Sequence, residues 1–452
     1  MNVFRRDFIR DLVTIPLLDF FSFGFKNNIL KELSQKSIDY KKRLQIDELE
    51  ILDEKLLPPT SIEGNCIRIG MVGNGWRGVE ISQNDIRLLN DMEKQKTATV
   101  FPSCLEMVAS DKIDAIVIAT PDHTHGPIAI AAAKAGKHIY LEKPMTHSIE
   151  EAIELRDIIK ATSVVFQLGN ENRQQMSFKI AWEFYQKGVL GNVTQVEIFT
   201  NRNTLFGAWI RDDAFDHKLG NKNNTNWEEF LSNAAWHKFD RKRFYSWQHY
   251  SNCGTSVAGN DFSHCYDCVN QVLGLGIPDS AVALGGQYYY KSHGDMPDVF
   301  NAIFSYPEKG LALTYDATLK NGICWQSRIL GSKATMDIDR AILMFKDNNS
   351  EKYKDIKIEP SEPFYYYDPN TNVDAISTAT SKAYIKGGYG STYIDGKVID
   401  ATFVHVKECI DAIREYGNTS CNIDAGFEEA VTFNLANLAY IHKKPVRWDP
   451  LN

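Results

Sequence analysis

Three short stretches of this chain hold residue types suited to proton transfer beside a phosphate cradle. Glu142-Lys143-Pro144 follows the strand-like run 137–141. A lysine at such a strand end can hydrogen-bond an oxygen as it becomes an alkoxide, and can share its proton. Further on, Asn260, His264 and Asp267 have the i, i+4, i+7 spacing of one helix face. Imidazole is suited to proton transfer near neutral pH. Asp261 then points about 100° away from that face, and Asp267 orients or caps rather than reacts. The plainer reading of both stretches is a surface lysine and a polar helix face.

The third stretch is Gly73-Asn74-Gly75-Trp76-Arg77-Gly78, straight after the apolar run 67–72. Gly73 permits a tight turn, Gly75 lets backbone approach a pyrophosphate, and Gly78 allows close helix packing. Such a loop at a strand end is where a Rossmann fold holds a dinucleotide. Another turn, Thr120-Pro121-Asp122-His123, ends the apolar run 113–119 at the carboxyl edge where open α/β sheets place ligands.

Positioning these loops requires strands and helices in alternation. Short continuous apolar runs at 67–72 and 113–119 predict strands buried on both faces. Residues 138–141 and 164–168 predict two more. Helices are predicted over 127–135, ended by Gly136, and over 148–161. In the latter, Ser148 is the N-cap and Glu151 follows three residues on. This spacing means a parallel sheet. From 178 the texture changes. A helix over 177–187 precedes longer strands at 193–199, 281–290, 299–306, 311–317, 327–330 and 334–338, with helices over 403–415 and 426–442. Period-two alternation there predicts a mixed or antiparallel sheet with one covered face. Asn/Gly-rich residues 220–225 and 386–396 read as surface loops.

The expected architecture is α/β. A shortened Rossmann-like doubly wound domain (66–168) precedes an α+β domain with a large mixed or antiparallel sheet (169–452). The shortening follows from length. A full Rossmann half needs more than about 40 residues between its first and fourth strands, whereas 79–112 supplies 34. The acid that would hold the adenosine ribose is expected about 20 residues past the loop. That region, Ala98-Thr99-Val100-Phe101, has none, leaving Asp85 or Asp91. Either a cofactor is held differently, or it is held poorly or not at all.

With 452 residues and a net charge of −8, the chain is long enough for two or three domains. No basic block marks it as a nucleic-acid binder. Aromatics reach 12%, enough to fill cores and also to line a sugar cleft. Among eight cysteines only Cys265 and Cys268 are close. Without a second pair or clustered histidines they read as buried helix thiols, and no metal site is expected. Arg5-Arg6-Asp7-Phe8-Ile9-Arg10 followed by the apolar stretch 12–25 reads as a twin-arginine-like export segment (1–25), with a polar linker at 26–65. Asp11 and Asp19 interrupt the stretch, so an ordinary amphipathic segment is the alternative. No run approaches the length of a spanning helix.

At this point the chain resembles the Gfo/Idh/MocA oxidoreductases over residues 66–452. The resemblance rests on the glycine loop, Ala119-Thr120-Pro121-Asp122-His123-Thr124-His125, Ala135-Gly136-Lys137-His138 leading into Glu142-Lys143-Pro144, and Gly188-Val189-Leu190-Gly191. It extends through Ala258-Gly259-Asn260-Asp261-Phe262-Ser263-His264 and Arg447-Trp448-Asp449-Pro450. It is similar to the exported branch of sugar-degrading bacteria. The resemblance implies NAD or NADP as cofactor, with NAD favoured. Gly73, Asn74, Gly75, Trp76, Arg77, Thr120, Pro121, His125, Glu142 and Lys143 would then lie along it. His125 is equally a helix-start residue without a ligand. Lys143 and His264 become the catalytic pair, and Asn260, Asp261, Arg173 and Asp267 the substrate contacts. Many relatives carry an aspartate where Asn260 stands, and an amide cannot take a proton, so the base role falls on Lys143 or His264. Arg173 reads equally as a structural residue.

The implied function is oxidation of a ring hydroxyl of a sugar or glycoside, with hydride passing to NAD(P). Two rivals remain: an NAD-dependent glycoside hydrolase using transient oxidation and elimination, and a non-catalytic sugar binder with a degraded cofactor site. The expected partner is a small sugar, with no nucleic acid and no membrane span. Self-association into a homo-oligomer is an expectation from the family. The expected location is periplasmic, with the cytoplasm as the alternative.

Overall fold

The computed structural model describes residues 66–449, apart from 74, 76, 79–80, 82–98, 204–207, 210–221, 224, 233, 292–293, 324, 339–342, 347–364, 369–381, 386–390, 395–396 and 416. The export-like segment, the linker, Asn74 and Trp76 therefore lie outside the described residues.

The first sheet contains β1 (Ile69–Val72), β2 (Ala115–Ile118), β3 (His138–Leu141) and β4 (Phe166–Leu168), in that order and all parallel. Every residue of β2 and β3 is buried, as strands covered on both faces must be. Among the described residues β1 stands at the sheet edge. The expected shortening concerns 79–112, of which 82–98 lie outside the described residues.

Helix α1 (Cys104–Ala109) follows β1, α2 (Asp122–Lys134) follows β2, and α3 (Ile149–Thr162) follows β3. The Ser148 hydroxyl accepts from the Glu151 N–H at 3.2 Å, while the Glu151 carboxylate reaches back to the His147 N–H at 3.0 Å. That places the returning bond one residue before the usual capping-box position. Helix α2 begins five residues before the predicted start and carries Pro127 inside it, giving up one ladder bond.

Beyond α4 (Met176–Gln186) the chain enters the second sheet at β5 (Val193–Thr200). Its other strands relevant to the site are β6 (Ser280–Gly286), β7 (Val299–Tyr306), β8 (Leu311–Thr318) and β9 (Trp325–Gly331). This sheet is mixed: β5 pairs parallel with β8 and antiparallel with β9. Strand β6 is shorter than predicted because the Asp298 carboxylate takes the N–H groups of Tyr288, Tyr289 and Tyr290, which folds them into a turn. The predicted loop at 386–396 contains a strand, Ser391–Ile394, paired with Lys397–Asp400. There β-branched and aromatic residues outweigh the flanking glycines.

Two closing helices join the sheets. Helix α5 (Ala401–Glu415) returns to the first sheet, where Val406, Cys409, Ile410 and Ile413 pack on Ala115, Val117 and Tyr140. The opposite face, Ile116, Ile118, Ile139 and Leu141, belongs to the core shared with α2 and α3. Helix α6 (Ile423–His442) packs against both α3 and β6, so one rod touches both layers. The stretch predicted as a single second domain therefore also supplies one face of the first.

Candidate active site

The glycine loop closes against the end of β2. Gly73 has φ +92°, and a Cβ there would stand 2.3 Å from the Ala119 carbonyl oxygen. A Cβ on Gly78 would stand 2.0 Å from the Gly73 oxygen, whereas one on Gly75 would meet nothing within 4 Å. Two glycines are thus required by packing, and the third faces open space, as a backbone-held pyrophosphate needs.

Arg77 ties this loop to the second one. Its Nε donates to Glu142 Oε1 at 2.8 Å, and its Nη2 to Glu171 Oε2 at 2.9 Å. Glu142 is buried against Gly169, and burial pushes its carboxyl above the usual range, with Arg77 opposing. The stretches that the sequence singles out separately are therefore one ion-paired unit.

Lys143, next in the chain, extends its Nζ 2.7 Å to the Asn260 carbonyl oxygen, and its bond to Pro144 is cis. Asn260 sits in a π-turn, Ala258–Phe262, that leads into α7 (Ser263–Leu273, the helix between β5 and β6). The π-turn corrects the expected single face, because its wider winding breaks the 3.6-residue period. Asn260 turns its amide to the Ser256 carbonyl, 3.0 Å away, and offers Lys143 its backbone oxygen instead. The turn is seated on the second sheet. Phe262 stacks on Phe304, and the Tyr315 hydroxyl donates to the Val257 carbonyl at 3.1 Å.

His264 opens α7. Its Nδ1 is buried with no hydrogen-bond partner among the described residues. Burial, reinforced by the Lys143, Arg77 and Arg202 cations, pushes its pKa well below the ordinary imidazole value. The ring is therefore neutral at pH 7, with a lone pair available.

The remaining predicted contacts are placed elsewhere. Arg173 and Asp267 hold each other in a buried pair, Nη2 to Oδ1 at 2.6 Å, and Arg173 Nη1 also donates to the Ser420 carbonyl at 2.6 Å. This corrects the expectation that they face a substrate. His125 is 1% exposed inside α2, with Nδ1 2.7 Å from the Pro144 oxygen and Nε2 2.8 Å from the Thr120 oxygen. It braces the two turns rather than walling a cavity. The Thr120 hydroxyl accepts from Thr124 at 2.7 Å, and Pro121 is the N-cap of α2. Asp261, 1% exposed, binds Arg202 through both oxygens at 2.7 and 2.6 Å. Sequence reasoning missed Glu171 and Arg202, because their partners lie 94 and 59 residues away and no local pattern marks them. Cys265 and Cys268 are buried in α7.

Residues 67–170 match the family model GFO_IDH_MocA, described as an oxidoreductase family with an NAD-binding Rossmann fold. The match spans the whole of the first sheet. Among curated proteins, the chain is 27% identical over 264 residues to an uncharacterized oxidoreductase of Streptococcus pneumoniae, covering 55% of this chain and 61% of that protein. It is 28% identical over 174 residues to levoglucosan dehydrogenase of Pseudarthrobacter phenanthrenivorans, covering 38% of this chain and 39% of that one. The matches thus span 61% and 39% of the lengths of these two relatives. Among solved structures, a levoglucosan dehydrogenase in complex with NADH and levoglucosan superposes with a TM-score of 0.60 at 16% identity. That comparison covers 84% of this chain and 99% of the other, a likeness of fold. No helix among the described residues is long and apolar enough to cross a membrane.

Proposed function

We propose that this chain is an NAD-dependent oxidoreductase that oxidises a ring hydroxyl of a sugar or glycoside. The observation that carries the reading is the Lys143–Asn260 contact beside the unpartnered Nδ1 of His264, one residue on from the Arg77-braced Glu142. The family model and the sugar-acting relative support the same chemistry.

Backbone at Gly73 and Gly75 would hold the dinucleotide phosphates. Bound there, NAD supplies the acceptor for the hydride that leaves the substrate carbon. The Lys143 ammonium donates to the substrate oxygen and stabilises it as its bond to hydrogen breaks. Neutral His264 takes the hydroxyl proton, since its lone pair stays free through neutral pH. Arg77, Glu142 and Glu171 fix the register of the two loops, which keeps donor and acceptor within reach. We further propose that the twin-arginine-like Arg5-Arg6 segment directs export.

The test is direct. Purified full-length protein is denatured and the supernatant assayed for NAD(H). Folded protein is then incubated with a panel of sugars and glycosides, with and without added NAD. Sugar-dependent NADH formation is expected. Release of free sugar without net NADH would replace this reading with the transient-oxidation hydrolase. Failure to bind NAD in any form would overturn it.

A further inference from the structure

The π-turn that anchors Lys143 also anchors a second wall. Asn260 gives its carbonyl to Lys143, and the next residue, Asp261, gives its carboxylate to Arg202. The Arg202 cation acts on the His264 ring together with the Lys143 and Arg77 cations, so the Arg202 wall adjoins the site of proton transfer. Arg202 follows β5, and its own N–H is fixed to the Thr318 carbonyl at 2.8 Å. Its guanidinium carbon lies 5.3 Å from the Trp209 ring centroid and 4.9 Å from that of Trp325. All three side chains are partly exposed. Trp209 has φ +61°, a left-handed conformation that costs a bulky residue and gathers at ligand-binding positions.

We infer that Arg202, held between Trp209 and Trp325, determines specificity by seating the non-reacting ring of a neutral glycoside. The inference rests on the sugar-oxidising reading above. An indole face takes the C–H face of a pyranose, and Arg202, fixed by Asp261, holds the two indoles in place. The charge of Arg202 is already matched by Asp261, which is 1% exposed. A carboxylate on the ligand would compete with Asp261 for the same donors, so the wall favours an uncharged ring over a uronate. One ring then reacts at Lys143 and His264, while its neighbour stacks on the tryptophans.

The test uses the full chain with NAD and matched substrates: methyl glycosides of the common hexoses, the corresponding disaccharides, and glycosides with a uronate second ring. Wild type is expected to favour the neutral disaccharide in kcat/KM. Trp325→Ala should lower the disaccharide-to-methyl-glycoside ratio at least tenfold, mainly through KM. Arg202→Lys keeps a cation beside buried Asp261, which protects folding, and should lower the ratio too. Trp325→Phe, which keeps a ring, should restore most of it. An unchanged ratio in Trp325→Ala, or a wild-type preference for uronates, overturns the inference. Tryptophan fluorescence titration with the same sugars reads binding without turnover. If no sugar is oxidised, the reaction proposed above fails. The wall still stands if disaccharides bind wild type and lose at least tenfold in affinity in Trp325→Ala, and it falls if they do not.

Discussion

Two ionic clusters gather around the turn that follows β4, and they are built from similar side-chain types to different ends. Arg77, Glu142 and Glu171 line the edge of the site, with Arg77 keeping 23% of its side chain exposed. Arg173, Asp267, Asn170 and Glu429 are sealed, with Asp267 at 1% and Glu429 at 0%. There Asn170 Nδ2 donates to Glu429 Oε2 at 2.5 Å. Burial, with the neighbouring Asp267 charge, pushes the Glu429 carboxyl well above its usual range. Only the open cluster can reorganise around a ligand. The sealed one fixes the two sheets, because a lone charge left in that space has no water to turn to.

Variants sharpen this contrast. The largest effect is expected at the open site. Lys143→Met should lower kcat/KM by about 10²–10⁴, with little change in melting temperature. A variant retaining full activity would remove Lys143 from the chemistry. In the sealed cluster, Arg173→Met strands Asp267 and should cost about 3–5 kcal/mol, read by urea denaturation. A loss below about 1 kcal/mol would show that this pair does not hold the junction.

Next comes acid sensitivity. His123 sits between the Cys253 and Phe230 carbonyls, and burial lowers its pKa to about 4. The unfolded chain takes up this proton near pH 6.5, but the folded protein does not until about pH 4. Stability should therefore fall as pH drops through that window, by at most about 3 kcal/mol. His123→Gln should flatten that part of the pH–stability profile, and a profile with the same slope would contradict the assignment. The smallest effect is expected for Glu429→Gln. It removes a charge that burial already disfavours while keeping the side chain's shape and a hydrogen-bonding oxygen, and should change stability by under about 1 kcal/mol at pH 7. A loss of several kcal/mol would mean that Glu429 is ionised.

Much of the fold was legible because its signals are local. The buried runs ending in Ile118 and Leu141, the Ser148 cap and the Gly136 stop each lie within a few residues of what they specify. Lys143, His264 and the glycines are singled out by motif, spacing and the family resemblance. Their neighbourhood is not. Arg77–Glu142 and Arg202–Asp261 span 65 and 59 residues, so only the folded topology brings them together. The helix-face expectation for Asn260, His264 and Asp267 failed because a π-turn interrupts the period. Gly259 lets that turn pack closely on Thr255, since a Cβ there would stand 2.0 Å from the Thr255 hydroxyl. His125 was open to two readings, and only its two carbonyl partners decide between them.

The return of α5 to the first sheet bears on how the protein is made. Tyr140 and Val117 lie under side chains from 406–413, over 250 residues later in the chain. A ribosome that has released only the first domain has released a sheet with one apolar face bare. That domain becomes a finished structure only when nearly the entire chain has emerged. A fragment ending before residue 401 should therefore expose this face and aggregate, however complete its glycine loop.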